Sequence, residues 1–165
     1  MKINVKGNII IKVLEEGIWY YNIYGKICHL SSPEIDTQYI KGKNWGRNTC
    51  FKWENLKKKF WLTKEEAEKE ASKYLEKLKK LNISINLLKR IVKFLNSKRT
   101  DSCFYTVREY GIDDTSPDYC FFDKDKLALI CEYEYDDDYC GGYDEFEYPL
   151  AKYGKTWALT EEELK

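Results

Sequence analysis

The 165-residue sequence is short of the residues on which most recognisable catalytic chemistry depends. It has one histidine, His29, and it lacks a Gly-rich phosphate loop, a Gly-x-Ser-x-Gly elbow, a His-Glu-x-x-His pair and any Cys-x-x-Cys. Each of those motifs fixes donors or nucleophiles at a set spacing, so their absence leaves no assigned catalytic residue. His29 does not pair locally with Cys28, because neighbouring strand residues point to opposite faces. The amino-terminal MKINVKGNIIIKVLEEG has no long uninterrupted apolar run and no small-residue cleavage site. Neither a membrane span nor a signal peptide fits, and a cytoplasmic location is expected. In a reducing compartment the six cysteines are expected as thiols, with no metal or cofactor assigned to them.

What is present is aromatic and charged. Hydrophobic residues make up 43% of the chain and aromatics 16%, enough for a packed core rather than disorder. Net charge is zero, but residues 1–100 carry 22 Lys+Arg against 10 Asp+Glu, and residues 101–165 carry 6 against 18. Charge segregated in this way implies mutual attraction of the halves, separate partners, or both.

Periodicity assigns an α+β fold. The segments 3–13, 18–30, TCFKW and KKKFWL read as short strands, rich in β-branched and aromatic residues and punctuated by glycine. In LTKEEAEKEASKYLEKLKKL, Thr63 and Glu66 form a capping box ahead of apolar residues at helical spacing. A second helix covers NLLKRIVKFLNSKR. Strands return in CFYTVREY, DYCFF, KLALICEYEY and YDEFEYPL, and a short capped helix closes the chain at Thr160 and Glu163. The layout is a basic strand meander with two helices over 1–100 and an acidic meander with a short helix over 101–165, packed as one domain.

FWLTKEEAEK at 60–69 and WALTEEELK at 157–165 share Leu-Thr and the following acids, and IWYYNIYG aligns loosely with FYTVREYG. These phrases read as two related units, the alternative being one good strand-to-helix junction arrived at twice. YGKTWALTEEEL and KKFWLTKEEAEK also resemble the "GKT-aromatic-LT-x-EEA" ending of small uncharacterised proteins from Firmicute phages and mobile elements. That resemblance covers about a dozen residues per copy, implies a few strands followed by such a helix, and transfers no catalytic residue. It places the protein in the host cell cytoplasm if phage-encoded.

The functional candidates follow from charge. CEYEYDDDYCGGYDEFEYPL, residues 131–150, holds eight carboxylates and no Lys or Arg. Strand alternation sets Leu127, Leu129, Cys131, Tyr133, Tyr135, Phe146 and Tyr148 on one face of a hairpin and Ala128, Ile130, Glu132, Glu134, Glu145 and Glu147 on the other. Asp136, Asp137, Asp138, Tyr139 and Asp144 flank this grid. Asp136-x-Asp138-x-Cys140-Gly141 with Glu147 in twelfth place approaches a calcium loop, but Cys140 is a poor ligand for a hard cation and the flanks alternate like strands, so no metal is assigned. A rigid carboxylate sheet with tyrosines can stand in for phosphates and bases in a basic groove. By class analogy with acidic phage-encoded blockers of restriction and CRISPR effectors, the expected partner is a host protein or ribonucleoprotein, and the expected role non-enzymatic inhibition. One alternative is nucleic-acid binding by the basic aromatic segment 39–61, through Lys41, Lys43, Trp45, Arg47, Lys52 and Trp53. Another is a metal-binding protein or metal-dependent enzyme.

Overall fold

The computed structural model describes residues 2–44, 47–97, 103–136 and 141–164. It is an α+β protein of small antiparallel sheets. The chain divides into two compact units, Met1–Glu76 and Lys77–Lys165. This boundary falls inside a helix and well before residue 100, so the basic second helix belongs to the acid-rich unit. Counted by unit, Lys+Arg and Asp+Glu stand at 14 against 10 and at 14 against 18. The unit charges are therefore +4 and −4, a much weaker polarity than a division at residue 100 suggests.

Unit 1 opens with α1 (Lys2–Glu16), not with the strand expected over 3–13. The β-branched run Ile9-Ile10-Ile11 favours a strand locally. Tertiary packing overrides it, because Val13 is fully buried and Ile9 packs against the same core. The helix stops at Gly17, whose φ of 75° and N–H to the Val13 carbonyl, 2.8 Å, form a left-handed cap. A Cβ there would lie 2.2 Å from the Leu30 carbonyl oxygen, so only glycine fits. His29 donates from Nε2 to the Glu16 carbonyl at 2.8 Å and stacks on Trp19, which gives the lone histidine a structural task at the helix end. The hairpin β1 (Ile18–Tyr21)–β2 (Ile27–Leu30) follows, then the meander β3 (Glu34–Ile35), β4 (Tyr39–Asn44) and β5 (Arg47–Lys52). A 3-10 turn at Trp53–Asn55 sends the chain back, where Trp61 exchanges both backbone hydrogen bonds with Trp19 at 2.8 Å. Thr63 and Glu66 make the expected capping box of α2 (Lys64–Lys80). Tyr74 of α2 donates to the Ile23 carbonyl at 2.6 Å. The core of the unit is Val13, Ile18, Leu30, Ile40 and Phe60.

Unit 2 repeats this order. Ser84 caps α3 (Ile85–Asn96) by accepting from the Leu87 N–H at 3.1 Å, and Leu88, Ile91 and Phe94 form its buried stripe. The hairpin β6 (Phe104–Arg108)–β7 (Gly111–Thr115) comes next, then the meander β8 (Tyr119–Asp123), β9 (Ala128–Asp136) and β10 (Gly141–Pro149). A second 3-10 turn, Leu150–Lys152, returns the chain to β11 (Trp157–Ala158), which pairs with β6. Thr160 and Glu163 then open a 3-10 helix, Glu161–Leu164.

The duplication holds in backbone detail. Lys57 N–H bonds the Phe60 carbonyl and Gly154 N–H the Trp157 carbonyl, each at 2.8 Å. Lys57 and Gly154 are both left-handed, with φ of 62° and 74°. Phe60 and Trp157 are both fully buried, as are Ile40 and Leu129. Their neighbours also correspond, since Phe51 lies opposite Ile40 and Tyr148 lies opposite Leu129.

Lys57 pays a left-handed penalty that its counterpart glycine avoids. Lys57→Gly is expected to stabilise the protein by about 0.5–1 kcal/mol, and Gly154→Ala to destabilise it by about 1 kcal/mol, both read by thermal unfolding.

Arg90 grips Glu163 through two hydrogen bonds, 2.6 and 2.8 Å, and Tyr153 and Thr160 donate to the same carboxylate. The guanidinium beside it, chiefly, pulls the Glu163 carboxyl down to about 2. Its contribution to stability is therefore complete above the ordinary value of 4.5 and is lost as pH falls toward 2. Both side chains remain partly exposed, at 42% and 30%, so solvent screens the pair. Glu163→Gln is expected to cost about 1 kcal/mol at neutral pH, with the difference in unfolding free energy vanishing on acidification.

Candidate partner-binding faces

In the β8-β9-β10 sheet, Glu132 lies between Tyr119 and Glu145, Ile130 between Phe121 and Glu147, and Glu134 opposite Tyr143. Partners in register share a face, so Glu132, Glu134, Glu145 and Glu147 do line one side as the alternation predicts. The side is not open along its whole length. Ala128 and Ile130 are 1% exposed, so both faces of β9 are buried at its start and the accessible carboxylates begin at Glu132. Asp144 lies opposite Tyr133 and so belongs to the other face. Asp136 ends β9, its side chain lying outside the described residues, as do Asp137, Asp138 and Tyr139 entirely.

Glu147 is taken by Lys126 of the β8–β9 turn, whose ammonium is held charged to higher pH by that contact. Among the described residues Glu132, Glu134 and Glu145 form no ion pair. The face therefore reduces to these three carboxylates interleaved with Tyr119 and Tyr143, which are 53% and 65% exposed. Asp118 extends it: its carboxylate accepts from the Glu134 N–H at 2.6 Å, and its own N–H bonds the Glu132 carbonyl at 3.0 Å. Sequence reading missed Asp118, Tyr119 and Tyr143 because only the register reveals which residues stand beside the glutamates.

The β3-β4-β5 sheet is the equivalent surface of unit 1. Its outward rows are Tyr39 with Lys52, Glu34 with Lys41 and Cys50, and Lys43 with Asn48. Lys43 and Asn48 thus occupy the places of Glu132 and Glu145. Lys41 is engaged by Asp36 at 3.1 Å and lies over the Tyr39 ring. Trp53 spends its indole N–H on the Asp36 carbonyl and packs against the core. Lys43 and Lys52 are exposed, the Arg47 side chain lies outside the described ones, and Trp45 lies outside the described residues. The structure brings Lys52 and Trp53 together with Tyr39 in one pocket, which Gln38 and Glu54 also line, but not Lys41 or Lys43, and Trp53 there is already tied to the Asp36 carbonyl.

Cys28, Cys50, Cys103, Cys120 and Cys131 are not joined by disulfides, and among the described residues no group of three or more His, Cys, Asp or Glu is placed to hold a metal ion. No helix among the described residues is long and apolar enough to cross a membrane. Comparison with known proteins found no matching family, no matching curated protein and no matching solved structure.

Glu132 and Glu145 are like charges placed directly opposite each other on neighbouring strands, which is destabilising by about 0.2–1 kcal/mol. Glu145→Lys is therefore expected to raise the melting temperature, and added salt to raise that of the natural chain more than that of the variant, as calorimetry against sodium chloride would read.

Proposed function

We propose that the protein is a non-catalytic binding protein that docks the face formed by Tyr119, Glu132, Glu134, Tyr143 and Glu145 into a cation-lined groove of a host nucleic-acid-handling complex, as a phage-type inhibitor would. The observation that carries this reading is the retention of three carboxylates without ion pairs, two of them directly opposed, on a sheet whose counterpart in unit 1 carries Lys43 and Asn48 at the same places. A partner cation would turn that repulsion into attraction. The sheet backbone holds Glu132 and Glu134 about 6.8 Å apart, so the charges meet a groove already positioned and little ordering entropy is lost on binding. The tyrosines supply flat, amphipathic contact area of the kind that anchors interfaces.

The test is capture of partners from a plausible bacterial host on the immobilised chain, compared with Glu132→Lys, Glu134→Lys and Glu145→Lys combined. Glu147 is left unaltered because Lys126 holds it within the fold. The triple variant is expected to melt no lower than the natural chain and to lose the captured complex. A retained complex refutes the acidic face. Retardation of single-stranded oligonucleotide with a steep salt dependence, abolished by Lys43→Glu and Lys52→Glu, would assign function to the basic face instead.

A further inference from the structure

Internal duplication shows what one cavity in unit 2 is missing. In unit 1 the Tyr20 ring packs on Phe51 with centroids 5.1 Å apart, and the Asn44 side-chain amide donates to the Tyr20 hydroxyl at 2.6 Å. Strand register carries each of these residues to a counterpart. Trp61 meets Trp19 as Ala158 meets Tyr105, so Tyr20 corresponds to Thr106. Phe51 corresponds to Tyr148, and Asn44 to Tyr133. A threonine thus stands where unit 1 has a tyrosine, while the ring below and the polar group beyond are kept.

The space is open. A cavity of about 380 Å³ is lined by Thr106, Tyr133, Tyr148, Phe146 and Thr156, among others. It lies within the size range of small-molecule sites. The Thr106 hydroxyl, in a side chain almost fully buried, has no hydrogen-bond partner among the described residues. Tyr133 accepts from Thr115 at 2.8 Å and meets the Tyr148 hydroxyl at 3.1 Å, and Phe146 stands edge-on to Tyr133. Burial chiefly raises both phenols above the usual tyrosine range, so the two hydroxyls are neutral, while Arg108 and Glu147 bring charge to other parts of the lining.

We propose that this cavity is a binding site for one phenolic ring, seated on Tyr148 in the space a tyrosine fills in unit 1 and hydrogen-bonded by its hydroxyl to Tyr133. The aromatic floor supplies apolar area, and the neutral hydroxyl pair gives a ring bearing OH an advantage over the bare ring. The proposal is independent of the acidic face and survives or fails without it.

Titration of the full chain with p-cresol and with toluene, followed by amide chemical shifts of Thr106, Tyr133 and Tyr148, tests it. Binding of p-cresol in the millimolar range or tighter is expected, with toluene weaker by about tenfold. Tyr133→Phe is expected to erase that discrimination while leaving toluene binding unchanged. Thr106→Tyr is expected to fill the cavity, raise the melting temperature and abolish binding of both; if that variant does not fold, the natural chain and Tyr133→Phe decide. N-acetyl-tyrosinamide separates the sources of the ring: binding alongside p-cresol assigns the site to a tyrosine side chain of a peptide, exclusion to a free phenol, and either outcome supports the proposal. Absence of p-cresol binding, or a preference over toluene that Tyr133→Phe leaves intact, overturns it.

Discussion

Each unit of this protein depends on one closure, the pairing of its last short strand with its first. Trp61 returns to Trp19, and Trp157–Ala158 return to Thr106 and Tyr105. The return follows a 3-10 turn and a left-handed residue, and it drives Phe60 or Trp157 into the centre of the unit, where each is fully buried. Losing such a ring would remove several kcal/mol and the seat of the neighbouring strands together. Every surface discussed above, acidic, basic or concave, is held in place by this closed frame.

Closure from within leaves the outward meander positions free of structural duty. The same two places hold Lys43 and Asn48 in one unit and Glu132 and Glu145 in the other, over cores in which the Phe51–Phe60 ring pair answers to Tyr148–Trp157. The sign of a sheet face is therefore not set by the fold. Residues facing inward are constrained much more tightly, so the exchange of Tyr20 for Thr106 leaves a void and an unsatisfied hydroxyl.

The parts of this architecture legible in the sequence were those with local causes. Both capping boxes, the helical stripe of α2 and α3, and most strands with alternating aromatics follow from residues a few positions apart. The strand expected in place of α1 rests on Ile9 to Ile11, and the contrary signal, a glycine closing a run with Ile9 and Val13 one turn apart, is weaker than the packing that selects the helix. β7 is absent from the strands read in the sequence because Asp113 and Asp114 look like loop residues, although they pair with Thr106 and Tyr105. The carboxylate face was read correctly as to side but not as to extent. Alternation cannot show that Ile130 is covered, that Lys126 claims Glu147, or that Tyr119 stands beside Glu132.

Two copies of one return motif in a single chain carry a kinetic hazard, since the strand that closes the second unit has the same backbone habit as the one that closes the first. Tandem units of this kind misassemble by exchanging equivalent elements. Synthesis from the amino terminus limits the danger: Trp61 emerges from the ribosome and can settle on Trp19 long before Trp157 exists to compete for it. Refolding from denaturant offers both strands at once, so errors of assembly should be commoner in the test tube than on the ribosome.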